Sequence, residues 1–509
     1  MKIQNKKYST VIAIFVLLFT SCTEFDELNT NPNTTTVVSA SMLCTDVVLS
    51  VAEFNGGDAK SYISDNALAK YVGYANEGQM ATQYNNLGNG SFGLMTILPT
   101  IEKMIEYAED SPMESSYKGV AKFVRAYMFY KLTMKMGDIP YSETGGGELG
   151  VYKPKYDEQE EIFEQILEEL SQANQLFADG VTFDGDPTPY NGDPEKWRKA
   201  TNAFALKVLM TLSKKEGNSS VEIKNRFSEI VSEGVLLEST TGYFGLEYSS
   251  LNKHPLAGTN DIFTSKTILS ELLVEELKNL NDRRLFYFGE AAGAEITSGK
   301  SASDFDAYVG VDTSIEYAVM NANHNADVYS LLNERYLNED ASEPRMLITY
   351  AEQQLILAEA LIKDWISTGS VQTYYQEGVS SILGSFIGRS LGETNGVIID
   401  QAYIDTYFTG EAALKTDTND QLEQIWMQRY LLNFMQDSES SYFEYRRNGY
   451  PEFPIDANTS LNDNSKSTIP LRWLYPTTET SYNQQNLIEA LDRQFDGFDE
   501  INKVMWLLK

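Results

Sequence analysis

Apolar residues recur along much of the chain at spacings of three and four, the pattern of helices that bury one face. Ile101, Met104, Ile105 and Ala108 form one stripe. Tyr117, Ala121, Val124, Met128 and Leu132 form a second, and Gly137 with Pro140 beyond it supplies a stop signal. Ile162, Phe163, Ile166, Leu167, Leu170, Ala173 and Phe177 form a third, followed by Gly180. The stretch from Trp197 to Lys215 is a fourth, closed by Gly217. Residues 347–366, rich in Ala, Leu, Ile, Glu and Gln, predict a strong helix with a partner over 371–387. Helices over 421–436 and 484–495 complete the set. The expected fold is mainly α, with antiparallel pairs resembling tetratricopeptide units stacked into one scaffold. The loops differ too much in length for a clean 34-residue repeat.

Long segments rich in Gly, Asn, Asp, Ser and Tyr separate the pairs, at 137–158, 181–194, 238–263, 285–345, 388–420 and 446–483. A short strand is plausible at Gly396–Ile399. Long loops in a compact body tend to carry function. No break in composition marks a second domain, so residues 37–509 are expected to form one unit.

The N-terminus follows a different logic. Lys2, Lys6 and Lys7 precede the nine-residue apolar run Val11–Phe19, then the small residues Thr20 and Ser21. This is the layout of an export signal over residues 1–21. The run is too short to span a bilayer, which takes about 20 apolar residues. Cys22 follows at once, as in a bacterial lipobox, although Phe19 stands where Leu is usual. Cys22 is therefore the expected lipidation site, and residues 22–36, polar and interrupted by Pro32, read as an acylated tether. With Cys22 acylated, Cys44 has no partner and is expected as a free structural thiol.

Charge excludes whole classes of function. The 509 residues carry 73 Asp and Glu against 40 Lys and Arg, a net charge of −33. Loss of the three signal lysines takes it to −36. A nucleic-acid partner would need a basic footprint, and so would an electrostatic grip on anionic lipid. Two histidines, His254 and His324, leave little for a His-rich metal site or a His-based triad. No catalytic residue, metal ligand or cofactor is indicated. Calcium on the Asp184–Asp193 loop is conceivable, but EF-hand spacing is missing.

Gly88-Asn89-Gly90-Ser91-Phe92-Gly93 matches G-x-G-x-x-G, but no strand precedes it and no βαβ unit surrounds it. A tight glycine loop is the better reading. Acid pairs carry no information in so acidic a chain. Aromatics are the informative class, at 12% with 31 Tyr. Their rings can stack on sugar faces or peptide side chains while their polar tips hydrogen-bond. Trp197, Trp365 and Trp426 fall in helical patterns and are expected in the core. Tyr84, Tyr287, Tyr308, Tyr329 and Tyr336 fall in or beside loops and are the candidate ligand-binding residues.

Several segments, in order, resemble the SusD/RagB family of nutrient-binding outer-membrane lipoproteins, in the SusD-like subgroup. They are Cys22 with Glu24–Asn33, Arg125-Ala126-Tyr127 through the Gly137-Asp138-Ile139-Pro140-Tyr141 turn, Trp197–Ala203, and Asp282-Arg283-Arg284-Leu285. Tyr350-Ala351-Glu352, Leu357–Ala360, Ile425–Tyr430, Arg446–Pro451, Ile469–Arg472 and Tyr475–Glu479 follow. Val504-Met505-Trp506 is similar to the family's Trp-rich ending with one Trp replaced by Met.

The resemblance implies a right-handed superhelix of four tetratricopeptide-like pairs with a loop-rich irregular half packed on it. It implies a lipid-anchored protein of the outer-membrane surface, acting as a lid on a SusC-type TonB-dependent transporter and capturing oligosaccharides without catalysis. Some members take peptides, which is the alternative ligand. The family's ligand-binding residues lie in variable loops and do not carry over; the matched motifs are structural. A secreted hydrolase and a lid without ligand affinity are the remaining readings. The hydrolase lacks any marked nucleophile, metal or acid pair.

Overall fold

A computed structural model describes residues 38–54, 56–238, 242–389 and 394–509. The export signal, Cys22 and the tether lie outside the described residues. Of the described residues 52% are helical and 5% lie in strands.

Eleven helices frame the fold. They are α1 (Ala40–Ala52), α2 (Ala59–Leu68), α3 (Leu98–Ala108), α4 (Glu114–Met136), α5 (Gln159–Ala178) and α6 (Pro194–Thr211). After a long irregular stretch come α7 (Tyr350–Ile362), α8 (Val371–Gly384), α9 (Thr418–Leu432), α10 (Ser438–Asn448) and α11 (Gln484–Phe495). Neighbours in sequence pack as pairs: α4 on α5, α5 on α6, and α7 on α8. α7 also packs on α6 and α9, which joins the two halves of the scaffold, and α1 lies on α3 and α4. Two small antiparallel sheets fill the joins. β1 (Val72–Tyr74) pairs with β3 (Thr267–Leu269), and β2 (Tyr243–Leu246) with β4 (Arg345–Thr349).

Local chemistry explains the helix ends. Asp193 accepts from the Glu195 N–H and Pro194 opens α6, where a missing amide costs nothing. Gly137 ends α4 at φ +93°, ψ −128°, a conformation open in practice only to glycine. The buried faces meet in one apolar cluster that runs from Ala40 to Leu507. Trp197 sits inside it, fully buried against Phe123, Phe177 and Phe244, with its indole N–H on Asp186 at 2.8 Å. Trp365 is buried too, its N–H on Glu216 at 2.6 Å.

Beneath the cluster lies a buried ion network. Arg447 holds Glu359 through two bonds of 2.6 and 2.9 Å and Glu444 at 2.7 Å. Arg429 reaches Glu444 at 2.7 Å and Glu352 at 3.2 Å. These side chains come from α7, α9 and α10, so the network rivets three helices together. Elsewhere Asp282 and Arg284 form a pair with no solvent exposure, and Asp138 accepts from Arg493 and the Gln159 N–H.

The structure corrects several expectations. Residues 345–349 form strand β4, and the helix begins only after Thr349, whose hydroxyl accepts from the Glu352 N–H. Gly396–Ile399 is not a strand: Thr394–Gly396 is a turn, and the Ile399 N–H goes to the Tyr287 hydroxyl instead of a neighbouring strand. Trp426 is only half-buried, with Tyr450 beside it and the Arg447 guanidinium over its ring. α1, α2 and α10 were not anticipated, nor the short helices within 285–345 such as Tyr317–His324. α1 buries one face, but Met42, Leu43 and Leu49 put apolar residues outside it, which blurs its periodic signal. Cys44 is a buried free thiol of α1, pushed well above its usual pKa by burial and then by nearby Asp186.

Candidate functional site

The five loop tyrosines do not form a platform. Tyr84, Tyr287, Tyr308 and Tyr336 are all buried. Each hydroxyl is engaged within the fold. Tyr84 donates to the Ile315 carbonyl at 2.9 Å, and Tyr308 to the Ala302 carbonyl at 3.1 Å. Tyr336 donates to Glu343 at 3.0 Å, and Tyr287 accepts from the Ile399 N–H at 3.1 Å. Tyr329 is half-buried against Ile268, Val311 and Met320, and its hydroxyl accepts from Asn323 at 3.0 Å. A ring packed on both faces has none left to stack on a ligand, so the expected platform is revised. Tyr287 and Tyr336 share the Arg335 guanidinium, but the five are not brought together around any one cavity described below.

The glycine loop does lie at a cavity. Gly90 donates to the Leu474 carbonyl at 2.7 Å, Leu474 returns a bond to the Gly88 carbonyl at 3.0 Å, and Asn89 donates to the Tyr475 carbonyl at 2.6 Å. A Cβ on Gly90 would meet Met136 Sδ at 2.6 Å, so glycine lets the loop lie flat on the end of α4. The loop forms one wall of an open cleft of about 580 Å³. The other walls come from the end of α1 and the loop after it, α2, the last two turns of α4, the start of β4, the α9–α10 junction, and Trp473.

The cleft has an apolar side and a charged side. Val51, Phe54, Leu94, Ile97, Leu132 and Trp473 supply the first. Phe54 is half-buried and packs edge-on to Tyr62, with centroids 5.0 Å apart. Trp473 is 8% exposed, held edge-on by Tyr442. On the charged side Lys131 bridges Asp437 at 3.1 Å and Glu439 at 2.9 Å, and Lys135 bridges Glu439 at 2.5 Å. Burial works against the Lys131 charge, yet Asp437 and Glu439 hold its pKa well above the usual lysine range. Burial, then the neighbouring Glu439 charge, push the Asp65 carboxyl up to about 7. Arg345 lies over the Phe54 ring at 5.7 Å and hydrogen-bonds with Tyr248. A cavity of this size with a few convergent polar groups on an apolar wall is the usual form of a small-ligand site.

A second cavity of about 570 Å³ lies between Glu276, Tyr375, Glu411, Asp420, Glu423 and Tyr450, among others. Carboxylates dominate it, and its lysine, Lys415, is paired with Glu411 at 2.6 Å. In the Asp184–Asp193 loop Asp186 turns inward and accepts from the Thr188 and Gly192 N–H groups and from Trp197, while Asp184 is exposed and Asp193 caps α6. Among the described residues no group of three or more His, Cys, Asp or Glu is placed to hold a metal ion, and no helix is long and apolar enough to cross a membrane.

Residues 32–476 match the family model described as starch-binding and associating with the outer membrane. The chain belongs to this SusD-like family. A SusD homologue from Bacteroides fragilis superposes with a TM-score of 0.88 at 36% identity, covering 93% of this chain and 100% of that one. An outer-membrane protein of Bacteroides vulgatus, described as involved in nutrient binding, gives 0.84 at 30% identity over 93% and 100%. A second B. fragilis SusD homologue gives 0.80 at 32% over the same shares. A chitin-binding protein, 24% identical with a TM-score of 0.73 over 92% and 100%, shares the fold. No curated protein matches the chain.

SusD-like proteins are binding proteins associated with the outer membrane. Key residues of the motifs that carried the resemblance are buried and structural: Glu352, Glu359, Arg429 and Arg447 in the ion network, Asp282 with Arg284, and Asp138 in its turn; Cys22 with Glu24–Asn33 lies outside the described residues. The cleft residues escaped the sequence reading, except the glycine loop, because segments far apart in the chain contribute them.

Proposed function

We propose that this protein is a lipid-anchored receptor of the outer-membrane surface that captures oligosaccharides in the 580 Å³ cleft and passes them to a SusC-type TonB-dependent transporter. The cleft is the observation that carries this reading. The half-buried Phe54 offers apolar ring surface to sugar C–H groups and the small exposed part of Trp473 adds an apolar edge, while the charged side and the exposed Asn89 and Ser91 of the glycine loop meet hydroxyls. Family membership supports the outer-membrane setting, and a fold relative described as a chitin-binding protein accords with a glycan ligand. Cys22 carries the acyl anchor, and the tether joins it to the body. The family's binding character and the absence of a marked nucleophile support a receptor that does not turn its ligand over. Open on one side, the cleft suits weak capture and release, with a Kd in the micromolar to millimolar range.

A glycan array with the mature chain, followed by calorimetry on each hit, tests this. Phe54→Ala should weaken binding at least about tenfold while the fold is retained; Trp473→Ala, which truncates a buried ring, should weaken binding and also cost about 3–5 kcal/mol of stability. Binding of peptides alone, or glycan binding untouched by Trp473→Ala and Phe54→Ala, would refute the assignment. Cys22→Ala should release the protein from membranes or leave an uncleaved precursor.

A further inference from the structure

The three cations that line the cleft are Lys131, Lys135 and Arg345. The two lysines are spent: each is ion-paired, to Asp437 and Glu439 or to Glu439 alone. Asp437 also faces Lys207 at 3.8 Å, so both acids are committed to cations already present. Arg345 differs. No carboxylate among the described residues lies within ion-pair distance of its guanidinium, and its Nε is buried with no hydrogen-bond partner. Its neighbours are the Phe54 ring and the hydroxyls of Tyr248, Tyr62 and Tyr127, and its charge is felt by Asp437 and Asp65 beyond ion-pair distance. Glu343, two residues earlier, is taken by Arg335, Tyr336 and Gln436.

An unpaired guanidinium is unexpected in a chain with 73 acids. A buried donor without a partner is costly to the fold. Its planar fork matches a carboxylate bidentately, which a lysine cannot do. The mounting is rigid: Arg345 opens β4, pairs with Leu246 across the sheet, and is followed by Met346, whose N–H donates to cleft residue Gln436 at 2.9 Å. We infer that Arg345 is the receptor for a ligand carboxylate and that the captured oligosaccharide is acidic, a uronate-containing glycan whose sugar rings lie on Phe54 and Trp473. This rests on the capture reading above. Of the four acids that line the cleft, Asp437 and Glu439 are neutralised by lysines and Glu53 is exposed, where solvent screens its charge. Asp65, with its carboxyl pushed up to about 7, carries only part of a charge near neutral pH.

The test uses the full mature chain and three probes: oligogalacturonate, the same oligomer fully methyl-esterified, and a neutral maltooligosaccharide. Calorimetry at low salt should show the free acid binding at least about tenfold tighter than its ester. Arg345→Gln should erase that difference without changing the melting temperature by more than a few degrees, and Arg345→Lys should keep part of it. Equal affinity for acid and ester, no uronate binding, or a preference that survives Arg345→Gln would overturn the inference. Maltooligosaccharide binding lost in Trp473→Ala, with no preference for the acid, would overturn it while leaving glycan capture standing. Failure of all three probes alongside binding of an acidic peptide would overturn both.

Discussion

A loop tyrosine is drawn into a core when its hydroxyl can reach a fixed acceptor, since the ring gains burial and the polar tip loses nothing. Tyr336 shows the consequence. Fully buried, it donates to Glu343 at 3.0 Å and lies beneath the Arg335 guanidinium. Tyr336→Ala should cost about 3–5 kcal/mol in urea denaturation, because it empties a ring-sized cavity and removes one hydrogen bond from Glu343. Loss of ligand affinity at unchanged stability would contradict a packing role. Asp65 gives a prediction of opposite kind. Burial and Glu439 raise its folded pKa to about 7 from a usual value near 4. Below about pH 4 the group is protonated in both states and costs nothing. As pH rises towards 7 only the unfolded state ionises freely, so this residue subtracts stability, most fully above 7. Asp65→Asn should therefore raise the melting temperature more at about pH 8 than at about pH 5; equal shifts at both would rule the effect out. Neither residue's environment was visible in the sequence, where a tyrosine between loops and an acid among 73 look ordinary.

Elements were more legible than residues, and for a physical reason. α3, α5 and α11 each bury one stripe, so their period survives in the sequence; α4 is buried on nearly all sides, and Gly137 marks where it ends. β4 escaped because Leu347 and Ile348 read as the first turn of an apolar helix until the Thr349 cap is seen. The end of α4 also tests the argument from conformation. Gly137→Ala places a Cβ 2.6 Å from Gln494 Oε1 at a φ of +93°. The expected cost is about 1–3 kcal/mol, read from urea denaturation midpoints. Because the last two turns of α4, just before Gly137, carry Lys131 and Lys135 to the cleft, ligand affinity should fall as well. A stable variant with unchanged affinity would show that the turn can relax without disturbing the site.

For the molecule as a whole, the buried ions fasten the paired helices. Arg447, Arg429, Glu359, Glu352 and Glu444 join α7, α9 and α10, which lie up to a hundred residues apart in sequence. The resemblance picked out most of these residues, but nothing in their spacing disclosed that they meet. Breaking one partner leaves an uncompensated charge inside the protein, so Glu359→Gln should destabilise by about 3–5 kcal/mol. Arg447→Met with Glu359→Leu should cost less than the sum of the two single changes, since the pair is then removed together. Acid should loosen the same fastening. Burial alone would raise the Glu444 carboxyl, but Arg429 and Arg447 hold it down at about 2, against a usual value near 4.5. A carboxylate depressed in the folded state contributes stability above its unfolded pKa and loses it as pH falls towards the folded value. Its contribution should thus be intact above about pH 5 and fade between about pH 4.5 and 2. Glu439, held at about 2 by Lys131 and Lys135 against the same burial, adds to this slope at the cleft. Denaturation midpoints across that window should fall steeply in the wild type and less steeply in Glu444→Gln, which starts lower. If the variant's slope equals that of the wild type, the network is not what acid dissolves.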